Sequence, residues 1–297
     1  RTLEGVQSLA AGGVVLGSGG FQANPEMRAR YLGPGWDLMK VRGSRYNTGE
    51  LLDKAREIGA GSSGAWSASD CGSADIASAP FGDVTAGNLS ARSSERLGIM
   101  VNAEGRRFVD EGEEFHHTGG VALGNAVWSQ PGGIAFQLFD QQTAHMLDKE
   151  RYHSGSPSVT AGTVEELAHS LGIDPETLSD TVARYNQAVQ EGTFNTIIKD
   201  GKGTRGLEPP KSNWALRLDQ PPFVAYRVTT SIVFSHGGIA VDGEARVLDA
   251  ARQPIPGLYA AGEAIGGIFY RAFSTGAGLM LGSVFGRIAG RNAAKQA

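Results

Sequence analysis

Apolar positions along the chain follow two periods, and both recur from end to end. Short apolar runs, some weakly alternating, are typical of strands, and they predict strands near residues 14–16, 99–102, 134–139, 222–234 and 257–260. Apolar residues three and four positions apart predict helices over 51–58, 164–171 and 178–189. A chain that mixes both periods in this way is expected to adopt an α/β fold.

Local signals refine this pattern. Asn24 followed by Pro25 has the N-cap chemistry of a further short helix, and Thr163 with Glu166 forms a capping box. Residues 61–94 are rich in Ser, Ala, Gly and Asp with almost no periodicity, so we expect a loop-rich crossover between two domains. Four carboxylates within residues 110–114 are interpreted as a solvated surface.

A glycine-rich stretch spans residues 257–279. A short apolar run ends in Gly262-Glu263, and Gly276 and Gly278 lead into a helix of small residues. Glycines at such a strand-to-helix turn let backbone N–H groups approach an anionic or planar ligand, and the positive end of the helix points towards it. Spacing alone leaves an ordinary tight loop as the alternative interpretation.

Composition narrows the possible functions. The chain has 297 residues, 40% hydrophobic and 20% charged, which is enough for one large or two modest domains. Its net charge is −4 with scattered Lys and Arg, so we expect no nucleic-acid partner. Cys71 is the only cysteine, which excludes an internal disulfide, and we expect no metal site. No apolar run approaches ~20 residues, so we expect no membrane span and a cytoplasmic protein.

Several stretches together resemble the fumarate reductase/succinate dehydrogenase flavoprotein family, particularly its tricarballylate-dehydrogenase-like branch. They are Val14 to Phe21, Arg106 to Glu111, the helix pair at 164–189, Gly237-Gly238, Gly257 to Glu263 and Gly286 to Gly290. The resemblance implies the C-terminal part of a Rossmann-like FAD-binding domain with an inserted α+β capping domain. It assigns residues 1–65 and 222–297 to the incomplete FAD-binding domain and residues 66–221 to the substrate-capping domain.

One part of the family pattern has no counterpart. Members begin with a strand–GxGxxG–helix unit that holds the FAD pyrophosphate, whereas glycines 17, 19 and 20 have a different spacing and no helix directly after them. The chain also begins at Arg1, with no signal-peptide pattern. We therefore expect a fragment whose FAD site is completed by an N-terminal segment or by a separate chain.

The resemblance implies FAD as the cofactor and indicates which residues face it. Glu263 is expected to hydrogen-bond ribityl or ribose hydroxyls, and the backbone of Gly278 and Leu279 to approach the pyrimidine edge of the isoalloxazine. Residues near the adenosine half are expected to be Ser18, Gly19 and Gly20, with Thr48 and Gly49 nearby. The remaining predicted contacts are Gly262, Thr275 and Gly276.

The residues that bind the substrate in fumarate reductases are replaced here. The family's substrate-binding His aligns with Phe234, and its substrate-binding Arg aligns with Phe273. Its proton-shuttling Arg aligns with Phe115. Succinate and fumarate are therefore not the expected substrates.

Four residues near these positions are the catalytic candidates. Arg271 is expected to bind an anionic group of the substrate, and Tyr270 to act as a donor or acid. His236 and His116 are expected to relay protons. The alternatives are a surface ion pair for Arg271 and a structural or solvent-facing position for each His.

The leading interpretation is an FAD-dependent dehydrogenase or reductase for a small-molecule substrate. It would transfer a hydride between the flavin and a carbon adjacent to a carboxylate or carbonyl, with a tricarballylate-like substrate favoured over succinate and fumarate. A second interpretation is a ketosteroid-like cyclic ketone as substrate, because Phe234, Phe269 and Phe273 are apolar. A third is a non-catalytic fragment that binds no flavin.

Overall fold

The structure is a computed structural model that describes residues 5, 8–153, 155–270 and 273–296, with the backbone alone for 116–119. The chain divides into two compact units. The first unit contains Arg1–Asp37, Tyr46–Ser69 and Phe234–Ala297, and the second contains Leu38–Arg45 and Asp70–Val233. The domain boundaries suggested by the sequence, and the capping role of the inserted part, stay predictions.

Helices and strands occur in both units. The helices are α1 (Pro25–Leu32), α2 (Glu50–Glu57), α3 (His116–Trp128), α4 (Gln141–Ala144), α5 (Lys149–Tyr152), α6 (Val164–Leu171), α7 (Pro175–Ala188) and α8 (Ala277–Ala293). The strands are β1 (Val14–Leu16), β2 (Lys40–Val41), β3 (Ser62–Ser63), β4 (Ser69–Asp75), β5 (Ile99–Asn102), β6 (Ala135–Phe139), β7 (Val159–Ala161), β8 (Phe223–Ser235), β9 (Gly238–Ile239), β10 (Arg246–Leu248) and β11 (Pro254–Ala260). None of the helices that the structure describes combines the length and apolar character that a membrane crossing requires.

The first unit is built around a sheet with the strand order β1-β11-β10. β1 runs parallel to β11, with Val14 opposite Leu258, and β10 is antiparallel. A separate antiparallel pair joins β3 to β9. The core of this unit contains Phe21, Met27, Leu52, Ala55, Ala60, Ile239, Val247, Leu258, Ala260, Ala264 and Ile265. Asn24 caps α1 by accepting the N–H of Met27 at 3.2 Å, as its sequence predicts.

The second unit has a sheet with the order β2-β8-β6-β5, and β4 and β7 also pair with β8. Helices α6 and α7 contribute Leu167, Leu178, Val182 and Tyr185 to its core, which they share with apolar residues of β5 and β6. The N-cap half of the predicted capping box at the start of α6 is present, since Thr163 accepts the N–H of Glu166 at 3.1 Å. The Glu166 carboxylate accepts the N–H of Gly162, the residue before the N-cap, at 3.0 Å. Both units therefore combine helices and strands, as the apolar pattern predicts.

The expectation of a loop-rich crossover over residues 61–94 is wrong for β4. This strand is almost fully buried although it contains no large apolar residue. Its small side chains allow close approach of α3: a Cβ added to Gly124 would lie 2.9 Å from the Cα of Gly72. Backbone packing replaces side-chain packing here, so the strand lacks the apolar pattern by which strands are recognised.

The interpretation of residues 110–114 as a solvated surface is also wrong in part. Glu111 is buried and forms an ion pair with Arg107, which is itself buried. Its Oε1 also accepts the N–H of Met100 at 2.7 Å. Glu111 is therefore a structural carboxylate of the second unit.

Candidate functional site

Among the described residues of the glycine-rich stretch, a strand ends, a turn follows it, and a long helix begins near the end of the stretch. β11 ends at Ala260, and Gly262 follows with φ of +68°, a conformation that favours glycine. Gly276, with φ of +87°, directly precedes α8. The N–H groups of a first helical turn have no intrahelical acceptor, which is the property that the predicted role of Gly278 and Leu279 requires.

Glu263 lies in this turn and is held by donors that are distant in sequence. Its Oε1 accepts the N–H of Ser235 at 2.9 Å, and its Oε2 accepts the side-chain amide of Gln22 at 3.2 Å. The Ser235 hydroxyl accepts the N–H of Phe21 at 3.1 Å. Burial raises the pKa of the Glu263 carboxyl to about 7, and the hydrogen bonds from Ser235, Gln22 and Gly20 oppose that rise. The carboxyl can therefore change its protonation state near neutral pH.

Gly20 leaves no room for a side chain beside this carboxyl. A Cβ at position 20 would lie 2.5 Å from Oε1 of Glu263 and would overlap the Ser235 hydroxyl. Two buried oxygens of the same segment, Ser18 Oγ and Gln22 Oε1, have no partner among the described residues. An unpaired buried polar atom costs about 1–3 kcal/mol, so pairing these oxygens with a ligand would be favourable.

The two segments predicted to lie near the adenosine half are in contact with each other. Gly19 has φ of +74°, and a Cβ there would lie 2.9 Å from the Asn47 side chain. The neighbouring Thr48 is fixed through its backbone oxygen, which accepts the Asn24 amide at 2.9 Å, and Gly49 follows with φ of +73°. The structure thus brings these residues together, and their contact with a cofactor stays a prediction.

A cavity of about 60 Å³ lies between the end of β8 and the glycine-rich stretch. Its lining residues are Phe234, Ser235, His236, Glu263, Ile265, Phe269, Phe273, Gly278 and Leu281. Three of them form a phenylalanine cluster (Phe234, Phe269 and Phe273). The ring centroids of Phe234 and Phe273 are 4.5 Å apart, and those of Phe269 and Phe273 are 4.8 Å apart. One wall of the cavity is therefore aromatic and another carries the Glu263 carboxyl.

His236 also lines this cavity and is only 4% exposed. Its Nδ1 lies 3.3 Å from the backbone oxygen of Tyr270. Its Nε2 is buried and has no hydrogen-bond partner among the described residues. Burial lowers the pKa of the His236 imidazole, and the hydrogen bond to Tyr270 partly opposes this. The neutral ring is therefore favoured.

The other catalytic candidates are placed less fully. The side chain of Tyr270 is exposed, at 56%. Arg271 lies outside the described residues. His116 is the first residue of α3 in the second unit, and its side chain lies outside the described part of the chain. The roles assigned to these three residues stay predictions.

The remaining predicted cofactor residues lie at the start of α8. Thr275, Gly276 and Leu279 are exposed, Leu279 to 73%. Gly278 instead borders the cavity, since a Cβ there would lie 3.0 Å from the Phe273 ring. Of these residues at the start of α8, only Gly278 therefore borders the cavity that Glu263 and His236 also line.

Sequence reasoning missed Gln22 and Ser235, which hold the Glu263 carboxyl. The Gln22 contact joins residues 241 positions apart, so no local pattern indicates it. Ser235 lies between two singled-out positions, Phe234 and His236, and this proximity was the only available signal.

The spacing GxGxxG occurs in the chain at residues 59–64 and 201–206, without the expected structural context. The first run follows α2 and enters the two-residue strand β3. The second lies in an irregular part of the second unit. Neither run connects a strand to a helix, so neither has the geometry of a pyrophosphate-binding unit.

Residues 2–279 match the FAD-binding domain family, and the chain belongs to that family. It is 33% identical over 296 residues to a probable fumarate reductase, Ifc3, of Shewanella frigidimarina, which covers 99% of this chain and 46% of that protein. It is 30% identical over 310 residues to a 4-oxocyclohexanecarboxylate 2-dehydrogenase of Sinomonas cyclohexanicum, covering 96% of this chain and 51% of that protein.

A solved structure supports the same relationship. The open conformation of a flavocytochrome c3 fumarate reductase superimposes with a TM-score of 0.74 at 31% identity, covering 97% of this chain and 47% of that one. The expected α/β fold, related to part of an FAD-binding fold, is thereby confirmed. The chain spans about half the length of these three relatives.

The family match also confirms FAD as the predicted cofactor. The residues present fit such a ligand, because Gly20 leaves the space beside the Glu263 carboxyl free of a side chain and because Ser18 and Gln22 carry buried oxygens with no partner among the described residues. Among the residues that the structure describes, no group of three His, Cys, Asp or Glu is arranged to hold a metal ion. The tricarballylate branch is a finer assignment that stays a prediction.

Proposed function

We propose that the chain belongs to an FAD-dependent oxidoreductase that transfers a hydride between the flavin and a carbon adjacent to a carboxylate or carbonyl. The main support is that Glu263, held by neutral donors, borders an aromatic cavity that also contains His236. Such an enzyme needs a hydrogen-bonding group for its cofactor and a neighbouring site from which water is excluded. Residues of both kinds lie in the first unit.

In this proposal Glu263 accepts hydrogen bonds from hydroxyl groups of FAD. Ser18 and Gln22 pair their unsatisfied oxygens with the same ligand. The other predicted contact positions are proposed to approach the cofactor through their backbone, namely Gly19, Gly20, Thr48, Gly49, Gly262, Thr275, Gly276, Gly278 and Leu279.

The substrate is proposed to lie against the phenylalanine cluster. These rings exclude water and strengthen electrostatic interactions inside the cavity. Arg271 is proposed to bind a carboxylate of the substrate, and Tyr270 to donate a hydrogen bond to its carbonyl or carboxylate. His116 is proposed to relay protons to bulk water.

Two substrate classes are compatible with this site. A tricarballylate-like polycarboxylate follows from the sequence resemblance and depends on Arg271. A cyclic ketone is favoured by the phenylalanine cluster, because stacked and edge-on aromatic rings form an apolar surface suited to a ring. The relative from Sinomonas carries such a substrate in its name.

We further propose that a segment with the strand–GxGxxG–helix unit completes the FAD site, on the same polypeptide or on a separate one. Intact-mass measurement and a denaturing gel of the native material test this. A single 31.1 kDa species that lacks flavin absorbance would contradict a shared site.

The function is tested with the complete, flavin-loaded protein that contains this chain. The flavin is reduced with dithionite and mixed with unsaturated acids or enones, or it is kept oxidised and mixed with tricarballylate or 4-oxocyclohexanecarboxylate. We expect one class to change the flavin absorbance in a saturable manner. Flavin that responds to none of these compounds would contradict the proposal.

A further inference from the structure

The segment that carries His236 is held by close backbone packing. A Cβ added to Gly64 would lie 2.5 Å from the backbone oxygen of His236, and one on Gly237 would lie 2.5 Å from the Trp66 ring. The N–H of His236 donates to the backbone oxygen of Ala68 at 3.1 Å. No side chain fits between these segments, so the backbone below the imidazole has little freedom to move.

The imidazole is fixed in one tautomer by its contact with Tyr270. A carbonyl oxygen can only accept a hydrogen bond, so Nδ1, at 3.3 Å from the Tyr270 oxygen, is the donor. In the neutral ring the other nitrogen, Nε2, is then unprotonated and presents a lone pair. The burial that favours the neutral ring favours this same state.

No donor among the described residues hydrogen-bonds to the lone pair of Nε2. Glu263 lines the same cavity, but its two oxygens accept hydrogen bonds from Ser235 and Gln22. The phenol of Tyr270 is exposed. A buried, oriented and unpaired base beside an aromatic wall is the arrangement expected of a group that meets a ligand.

We propose that His236 is the catalytic acid–base of the reaction, with Nε2 exchanging a proton with the substrate carbon next to the activating carbonyl or carboxylate. This inference rests on the proposed function and assigns the proton transfer to one atom. In the oxidative direction that C–H bond breaks, and its proton passes to Nε2. The electron pair left on carbon forms the new C=C bond, while the neighbouring carbon gives up a hydride, for which FAD is the acceptor.

The tautomer is tested without any substrate. Long-range proton–nitrogen NMR of the flavin-loaded protein, with histidine labelled by nitrogen-15, reports which ring nitrogen carries the proton. The His236 signal is assigned by its loss in His236→Gln. We expect a protonated Nδ1 and an unprotonated Nε2 at neutral pH. A protonated Nε2 would overturn the proposal.

The proton transfer is tested with two variants. His236→Asn keeps an amide that can donate to the Tyr270 oxygen, and His236→Gln places an amide near Nε2; neither can accept a proton at neutral pH. We expect both variants to lower turnover by roughly 100-fold or more, the usual effect of removing a general base. Exchange of the substrate α-hydrogen with deuterated water should fall by a similar factor. His169→Gln, at an exposed position of α6, is the matched control.

Flavin absorbance and thermal melting of each variant show whether the protein is folded and loaded. If the wild-type protein turns over none of the tested substrates, the proposed function fails. If the wild-type protein turns over and either folded His236 variant retains more than about a tenth of its rate, only the assignment of His236 fails.

Discussion

Glu111 in the second unit and Glu263 in the first are both withdrawn from solvent, but they are stabilised in different ways. Glu111 is paired with the guanidinium of Arg107, which also donates to the backbone oxygen of Pro209 at 2.6 Å. Glu263 is held by neutral donors, Gln22 and Ser235. Burial raises the pKa of Glu263 to about 7. The Glu111 carboxylate, in an ion pair, is suited to stabilising the fold. The Glu263 carboxyl, with neutral donors, is suited to binding a ligand.

The surroundings of Glu263 also contain buried polar atoms that lack hydrogen-bond partners in the described part of the chain. Near Glu263 the structure leaves Ser18 Oγ, Gln22 Oε1 and His236 Nε2 without partners among the described residues. Natural proteins rarely leave buried polar atoms unpaired. Gln22 also hydrogen-bonds Glu263, Ser18 belongs to the same segment, and His236 lines the cavity beside Glu263, so this part of the first unit is where we expect a ligand.

The largest effect is expected from Glu111→Gln. Removing one charge of a buried ion pair leaves the guanidinium of Arg107 uncompensated, so the free energy of unfolding should fall by about 3–5 kcal/mol. The matched control is Glu26→Gln in the exposed pair of Glu26 and Arg30, which has the same i,i+4 spacing. That change should cost less than about 1 kcal/mol in urea unfolding. Equal losses in both variants would contradict a structural role for the Glu111 pair.

Gly20→Ala should weaken FAD binding. Its Cβ would displace Glu263 and Ser235 from their hydrogen bonds, and the loss of one or two buried hydrogen bonds, about 1–3 kcal/mol, corresponds to roughly 5–150-fold in the dissociation constant. Gly17→Ala is the control, because nothing lies within 4 Å of a Cβ at that position. Fluorescence titration with FAD measures both variants. A Gly20→Ala variant that binds FAD as tightly as Gly17→Ala would count against the site.

The raised pKa of Glu263 predicts how the stability of the flavin-free protein depends on pH. The folded protein holds this proton up to about pH 7, whereas the unfolded chain releases it near 4.5. The proton on Glu263 therefore stabilises the folded protein fully below pH 4.5, and this stabilisation is lost as the pH rises through 7. The urea concentration at the midpoint of unfolding should therefore decrease as the pH is raised from about 5 to 8, and Glu263→Gln should make this decrease smaller. An unchanged slope in the variant would show that another group is responsible.

The smallest effect is expected from opening the phenylalanine cluster. Phe273→Leu removes both ring contacts of that residue but keeps the wall apolar. If the substrate is a cyclic ketone, the ratio of kcat/KM for the ketone to kcat/KM for a linear polycarboxylate should fall by about tenfold in this variant. Phe139→Leu, a ring in the core of the second unit, is the control for general loss of stability. Unchanged selectivity in Phe273→Leu would favour the polycarboxylate.

The sequence predicts much of the fold where side chains decide it. The helices that begin at Pro25 and Val164 appear where their caps indicate, and β6 and β11 follow their apolar runs. One failure, at Glu111, comes from a buried ion pair, and another occurs where backbone packing decides. β4 and the glycine-containing α3 approach through Gly72 and Gly124, a contact that leaves no apolar pattern in either segment.

The candidate site shows the same limit. Glu263 and the glycines beside it can be recognised from a local motif, because each acts through the backbone turn that contains it. Gln22 and Ser235 could not, since they reach Glu263 only when distant segments fold together. The unpaired Nε2 of His236 is likewise a property of burial, which no sequence spacing encodes.

The most direct test of the account is a single-turnover experiment on the complete, flavin-loaded protein. The reduced flavin is mixed with an unsaturated substrate from the active class, and its reoxidation is followed by visible absorbance. We expect His236→Gln to retain its flavin but to reoxidise it roughly 100-fold more slowly than the wild-type protein. Equal reoxidation rates in the two proteins, or a wild-type protein that carries no flavin, would contradict it.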